Sequence, residues 1–156
     1  MDKGQIAVLD LLLAIVIFII ILTGFFLTWN RYTNRLDDSK LNNELSLHSF
    51  QTIQQLVTSP GMPNNWEVNI SGVMILGLAK KDGVIDENKL NALKTLNYDQ
   101  VRSLLNLKRF GMLLLIKKGN ESIYELGNVS SGRTIQIERK VLYQNEESTI
   151  QLALWK

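Results

Sequence analysis

The most hydrophobic part of this chain lies close to its N-terminus. Residues 11–29 form a run of nineteen residues without a charge, LLLAIVIFIIILTGFFLTW. At a rise of about 1.5 Å per residue, a helix of this length crosses a hydrocarbon core of about 30 Å. A single segment satisfies its backbone groups in lipid only as a helix. The pattern therefore predicts a helix of transmembrane type.

Beyond residue 30 the hydropathy falls, but the apolar residues keep a helical spacing. They recur every three to five residues, at Tyr32, Leu36, Leu41, Leu45, Phe50, Ile53 and Leu56. No Pro or Gly interrupts residues 25–59, and Pro60 and Gly61 then predict the end of the helix. The sequence thus predicts one helix over residues 5–58, transmembrane to about residue 29 and amphipathic beyond it.

Residues 59–156 have the pattern of one small globular head. Asp86 is predicted to cap a first short helix. Asn97 and Gln100 match a capping box at the start of a second one. The two helices are predicted at residues 86–96 and 98–107.

Strand patterns occur on both sides of these helices. Before them, short strands are predicted at residues 66–70 and 73–78, and Asp82-Gly83 predicts a turn. After them, the pattern predicts an antiparallel meander of four strands, with residues 145–147 as the last turn. These strands are predicted at residues 109–118, 122–126, 133–143 and 148–155. The predicted fold class is α+β, with a long N-terminal hydrophobic helix continuing into a head that has a C-terminal antiparallel sheet.

The residues around the apolar run do not fit an ordinary secretory signal. Such a signal has an apolar region of roughly 7–15 residues and a small-x-small cleavage site after it. Here the apolar run is longer, and Asn30-Arg31-Tyr32 follows it. A basic residue followed by a small one occurs just before the run, at Lys3-Gly4. Cleavage there would leave the hydrophobic helix on the mature protein.

Lys3, Gly4, Gln5 and the acidic Asp10 ahead of a long apolar helix resemble the class III signal of type IV pilins and archaeal pilins. The resemblance implies a pilin-like fold, with residues 1–4 as the leader, residues 5–58 as the helix and residues 59–156 as the head. A prepilin peptidase would recognise Lys3 and cut between Gly4 and Gln5. In that family the acid is usually a Glu at the fifth mature position, whereas Asp10 would be the sixth.

The resemblance also implies the function and the partners. The expected protein is a structural subunit of an archaeal type IV pilus-like filament for adhesion. It would be a precursor in the cell membrane and an extracellular surface filament once assembled. Its partners would be other copies of itself, the membrane, the prepilin peptidase, and a pilus assembly ATPase with its platform protein.

Two alternatives remain open from the residues alone. The chain could be a minor pilin-like or uncleaved, signal-anchored surface protein whose head binds a partner or ligand. Counting the charges that flank the apolar run favours a third arrangement, an anchored regulator with a cytoplasmic head. Lys3 is on the near side, against Arg31, Arg35 and Lys40 on the far side, and positive residues favour the cytoplasmic side. The processing motif favours an exported head.

Asp10 allows two interpretations. A carboxylate within a lipid-embedded helix costs on the order of 3 kcal/mol at the centre and less toward the end, so it requires a partner. The α-amine of Gln5 on a neighbouring subunit is one candidate, which would make Asp10 an assembly contact. Alternatively, Asp10 caps or stabilises the helix N-terminus and reaches the headgroups.

Composition argues against catalysis and against nucleic-acid binding. The 17 basic and 15 acidic side chains give a net charge of +2, which predicts no steering of polyanions, and the dibasic pairs are interspersed with acids. The chain has no Cys and a single histidine, His48, so a Cys nucleophile or a triad is not expected. Asp82, Asp86 and Glu87 lack the spacing of a calcium loop. No enzyme activity, catalytic residue, metal or cofactor is predicted.

Three segments match the acceptor pattern for N-glycosylation, Asn-x-Ser/Thr, which is modified in exported proteins. Their asparagines are Asn69, Asn120 and Asn128. These residues are predicted as possible glycan sites on the head, in keeping with a location outside the cell.

Overall fold

The structure, a computed structural model, describes residues 3–128 and 132–156; within the first helix the side chains of residues 3–7, 9 and 34–38 lie outside the description. The chain forms two compact units, Met1–Leu41 and Asn42–Lys156. The helices are α1 (Lys3–Thr58), α2 (Glu87–Leu93) and α3 (Tyr98–Leu104). The strands are β1 (Ala79–Lys81), β2 (Val84–Ile85), β3 (Gly111–Lys118), β4 (Glu121–Leu126), β5 (Thr134–Tyr143) and β6 (Glu146–Trp155). A long apolar N-terminal helix and a C-terminal sheet confirm the α+β class.

Helix α1 ends at Thr58, as the Pro60-Gly61 pair predicts. The last carbonyl groups of a helix have no partner within it and need donors from elsewhere. Here the backbone N–H of Leu78 donates to the Leu56 carbonyl at 2.9 Å, and that of Gly83 donates to the Val57 carbonyl at 3.2 Å. The following chain therefore completes the hydrogen bonding of the helix end and holds it against the head.

Lys89 on α2 strengthens the same attachment. Its Nζ donates to the Pro60 carbonyl at 2.6 Å, and the residue is buried. A cation beside the C-terminal end of a helix is favourable because the helix dipole is negative there. The sequence pattern does not indicate this role for Lys89, since a lysine in a short amphipathic helix is normally solvated.

The two strands predicted at residues 66–70 and 73–78 are wrong. The structure has two 3₁₀ turns instead, Trp66–Val68 and Ile70–Gly72. Trp66 is fully buried and its indole Nε1–H donates to the Gly77 carbonyl at 2.9 Å, but Val68, on the same predicted face, is 80% exposed. One large side chain anchors this segment, so an alternating buried face does not form.

The capping predictions for α2 and α3 are confirmed. The Asp86 carboxylate accepts from the backbone N–H of Asn88, and Asn97 and Gln100 form the reciprocal capping box. Both helices end earlier than predicted, at residues 93 and 104. The last turn of α3 closes because Asn106 adopts a left-handed φ of 56° and Leu107 N–H donates to the Arg102 carbonyl, as in a Schellman motif.

The four C-terminal strands form as predicted, but their arrangement is not an antiparallel meander. The sheet has six strands in the order β1-β2-β5-β6-β3-β4. β6 lies between β5 and β3, and β4 lies at one edge. The sheet is mixed because β2 runs parallel to β5, with Val84 opposite Leu142.

The turn between β5 and β6 is shorter than predicted. It consists of Gln144 and Asn145, with β6 beginning at Glu146 opposite Tyr143. Both turn residues have positive φ, 52° and 65°, which is the conformation of the type I′ turn. This turn matches the twist of the strands and fixes their register.

One face of the sheet forms the core of the head. Ile150, Leu152 and Leu154 of β6 are fully buried on one side, as their alternation predicts. The C-terminal part of α1 meets this face, where the Arg139 guanidinium lies 5.3 Å from the Phe50 ring and bonds to Gln54. Other core residues include Leu45, Ile53, Leu56, Leu90, Leu93, Phe110, Met112, Leu114 and Ile116.

Candidate functional site: an exposed apolar helix

The apolar part of α1 is exposed along its length. Among the described residues, one helical segment, Asp10–Thr33, is long and apolar enough to span a membrane, and none of it is buried. Its large exposed side chains include Leu11, Leu12, Leu13, Ile15, Val16, Ile17, Phe18, Ile19, Ile20, Ile21, Leu22, Phe25, Phe26 and Leu27. Continuous apolar surface of this kind marks a contact with lipid or with other proteins.

The threonine side chains within the segment bond to their own helix. The Thr23 hydroxyl donates to the Ile19 carbonyl, and the Thr28 hydroxyl donates to the Gly24 carbonyl, both at 2.8 Å. These bonds leave neither hydroxyl in need of water. The segment is therefore compatible with a hydrocarbon environment despite its threonines.

Aromatic residues lie where the apolar run ends. Phe25 and Trp29 stack with ring centroids 6.0 Å apart, and Trp29 and Tyr32 are exposed on either side of Arg31. Trp and Tyr are enriched at the boundary between lipid and water. The sequence analysis above assigns these two residues no such role. An aromatic residue on each side of the first charge after an apolar run is nevertheless a recognisable signal of the boundary between lipid and water.

Asp10 is exposed and marks the start of the apolar segment. No described side chain forms an ion pair with it. Because α1 already begins at Lys3, Asp10 lies about two turns inside the helix and is not its N-cap. The capping interpretation is therefore wrong, and the helix dipole acts mainly within the first turn. The remaining interpretations are an intermolecular partner or a carboxylate that reaches the headgroups.

The processing residues lie at the very start of α1. The backbone of Lys3, Gly4 and Gln5 is helical, while their side chains, and residues 1 and 2 altogether, lie outside the described part of the chain. Cleavage between Gly4 and Gln5 stays a prediction.

The three candidate glycan sites are exposed on the head. Asn69 follows the first 3₁₀ turn, Asn120 lies in the turn between β3 and β4, and Asn128 follows β4. Ser130, which completes the last acceptor motif, lies outside the described residues. Glycosylation stays a prediction for all three.

The candidate ligands for metal or catalysis are dispersed. His48 packs against Phe110, with ring centroids 5.1 Å apart, and Asp86 caps α2. No group of three or more His, Cys, Asp or Glu side chains that could hold a metal ion occurs among the described residues.

The head has a shallow hollow of about 360 Å³. It is lined by Tyr98, Gly127, Asn128 and Trp155. The Tyr98 hydroxyl accepts from the backbone N–H of Met112 at 2.9 Å, which fixes that ring. None of these lining residues carries a carboxylate, an imidazole or an amine, so the hollow suits weak contact with a flat group better than acid–base chemistry.

Two tyrosines on the sheet are also poor bases. Burial raises the pKa of the Tyr124 hydroxyl to about 12. Burial, followed by the charge of Glu87, raises the pKa of Tyr143. Both hydroxyls therefore stay protonated at neutral pH.

Comparison of the chain with protein-family models, curated proteins and solved structures finds no match.

Proposed function

We propose that this chain is a structural subunit of a type IV pilus-like surface filament, made as a membrane-anchored precursor that polymerises through its N-terminal helix. The observation that carries the proposal is the exposed apolar segment Asp10–Thr33, none of which is buried. This segment requires apolar surroundings, which are lipid before assembly and neighbouring helices afterwards. Because lipid and leucine are similarly apolar, packing and polar contacts decide between the two environments.

The partners and location follow from this proposal. The membrane and other copies of the chain contact α1 directly. By the resemblance of residues 3–10 to a class III signal, a prepilin peptidase, an assembly ATPase and a platform protein act on the precursor. The assembled product lies outside the cell, which suits the exposed acceptor residues Asn69, Asn120 and Asn128.

A second candidate is a minor pilin-like or uncleaved surface protein whose head binds a partner or ligand. The hollow between Tyr98 and Trp155 favours it, because aromatic side chains supply binding surface at low entropic cost. Copy number separates the two candidates. Quantitative mass spectrometry of a sheared filament fraction should find this chain dominant if it is a major subunit and sparse if it is a minor one.

Processing provides the direct test of the precursor. Intact-mass and N-terminal analysis of the native protein should find Gln5 as the first residue. The substitution Gly4→Val should block the cut, because a branched side chain crowds the bond that the peptidase must reach. Finding residues 1–4 on the protein in filaments would contradict the predicted processing.

Asp10 tests how the helices assemble. If its carboxylate pairs with the α-amine of a neighbouring subunit, Asp10→Asn should leave insertion and cleavage intact but reduce the yield of filaments strongly. Removing one member of a buried ion pair costs about 3–5 kcal/mol. Asp10→Glu should be milder because the charge remains.

The measurement is the ratio of sheared filaments to membrane-retained subunit for both variants. If Asp10→Asn forms normal filaments, Asp10 does not pair with a neighbouring subunit. The contact with lipid headgroups is then the interpretation that stays. The matched control is Asp99→Asn, because Asp99 is an exposed acid on α3 of the head.

A further inference from the structure

Besides the short terminal strand β1, the described part of the six-stranded sheet has two open edges. β4 pairs with β3 on one side, and among the described residues its backbone bonds to no other segment. β5 meets β2 only near Leu142, so residues 134–140 have β6 on one side and, within residues 3–128 and 132–156, no strand on the other. Open edges expose unpaired N–H and C=O groups that can accept another strand.

The two edges are matched in length and opposite in charge. β4 has six residues and carries Glu121 and Glu125, whereas the open stretch of β5 has seven and carries Glu138, Arg139 and Lys140. The formal charges are therefore −2 and −1 + 2 = +1. Two β4 edges of the same charge repel each other, whereas β4 and the open stretch of β5 attract each other. Charge therefore disfavours pairing of β4 with β4 and favours pairing of β4 with β5.

The direction of the strands also fits. Along the sheet, β5, β6, β3 and β4 alternate in direction, because each neighbouring pair is antiparallel. A second copy in the same orientation therefore places its β5 antiparallel to β4 of the first.

One antiparallel register brings the apolar side chains of the two edges together. It sets Leu126 beside Ile135 and Tyr124 beside Ile137, all of which lie on the core side of the sheet. Leu126, Ile135 and Ile137 are only partly covered within one chain. The register of β4 shifts between Tyr124 and Ser122, so Glu121 lies at the end of the pair near the adjacent cations Arg139 and Lys140, and Lys140 remains 79% exposed although it already pairs with Glu147.

We propose that β4 of one copy pairs with residues 134–140 of β5 in the next copy, so that the heads join into a continuous sheet. The proposal rests on the filament function proposed above and names a contact between heads that acts in addition to the helices. The contact is head-to-tail, with different surfaces on the two partners, so it does not close into a two-fold dimer. In the filament proposed above it repeats in an open series.

Cysteine cross-linking tests this contact, because the chain has no cysteine of its own. Glu125 and Gln136 are exposed and directly opposite in the proposed register. Within one chain, three strand spacings separate β4 from β5, about 14 Å in total, which is too far for a disulfide. The full-length variant Glu125→Cys/Gln136→Cys, oxidised in intact filaments, should give covalent dimers, trimers and longer ladders.

Three controls define the result. Neither single-cysteine variant should form a ladder, and Glu125→Cys combined with Asn91→Cys, on the exposed face of α2, should give none. Glu121→Lys and Lys140→Glu should each reduce the ladder formed by the cysteine pair, and the two together should restore it. Restoration by the charge swap is not expected from a general loss of folding.

The outcomes separate the two proposals. Normal filaments without the 125–136 ladder would overturn the sheet contact and leave the filament function standing. A ladder from detergent-solubilised chains, with no filaments on cells, would overturn the filament function and support the contact. Efficient dimers from Glu125→Cys alone would show that like edges meet, which contradicts the proposed pairing.

Discussion

A variant that lacks residues 1–33 is expected to be a soluble, folded monomer that forms no filaments. The deletion removes the whole segment Asp10–Thr33, none of which is buried, and leaves the compact unit Asn42–Lys156 complete. The core of the head loses no side chain, since its first buried residue is Leu45. The apolar segment Asp10–Thr33 is thus expected to be necessary for assembly and dispensable for the fold of the head.

Size-exclusion chromatography with light scattering measures the oligomeric state, and circular dichroism on heating measures folding. Electron microscopy of concentrated samples would detect filaments. The matched control replaces Leu12 and Phe18 by Ala in the full chain, since both are exposed. That variant should still insert in the membrane and should assemble less well. Filaments from the shortened variant would contradict helix-driven assembly.

Local rules predict much of this fold. The caps at Asp86 and Asn97 depend on bonds that reach at most three residues along the chain, and both are present. The end of α1 follows from a proline and a glycine at residues 60 and 61. The C-terminal strands are visible because apolar and polar side chains alternate in β5 and β6, and because β3 contains a continuous apolar run, Met112–Ile116.

Other features depend on contacts that a linear pattern does not contain. The position of β6 between β5 and β3, and the parallel pairing of Val84 with Leu142, are set by which strands meet across the core. The segment around Trp66 has strand-like alternation, but a single buried indole decides its conformation. Lys89 is buried because the Pro60 carbonyl, 29 residues away, accepts a hydrogen bond from its ammonium group.

The candidate site also has one part that the local sequence predicts and one part that it does not. The length and composition of residues 11–29 predict an apolar helix, and the structure has one. The role of Asp10 was less predictable, because it depends on where the helix begins. Because the first turn of the helix is at Lys3, Asp10 does not cap it. An acidic side chain inside an apolar helix is stabilised by a partner of opposite charge or by contact with the headgroups.

Trp66 is expected to be the most sensitive single position of the head. It is fully buried and its indole N–H donates to the Gly77 carbonyl at 2.9 Å. Gly77 itself lies so close to the Ser59 carbonyl that any side chain there would clash with the end of α1. The three residues therefore form a compact attachment between the helix end and the head.

The substitution Trp66→Ala should reduce the free energy of unfolding by about 3–5 kcal/mol, because it leaves a cavity and an unpaired carbonyl. That is a large fraction of the roughly 5–15 kcal/mol that stabilises a typical domain. Urea denaturation of the detergent-solubilised full chain, followed by circular dichroism, measures the loss.

Trp29→Ala is the matched control, because Trp29 is 57% exposed and lies outside the unit that contains the head. It should leave the unfolding transition of the head unchanged. Trp66→Phe separates packing from hydrogen bonding, since it keeps an aromatic ring and removes the N–H donor. Trp66→Phe should reduce the free energy of unfolding less than Trp66→Ala does, and the difference between the two measures the part of the loss that comes from the cavity. A Trp66→Ala variant as stable as the Trp29→Ala control would show that the attachment at the end of α1 does not depend on this indole, and that the hydrogen bonds from Leu78 and Lys89 suffice.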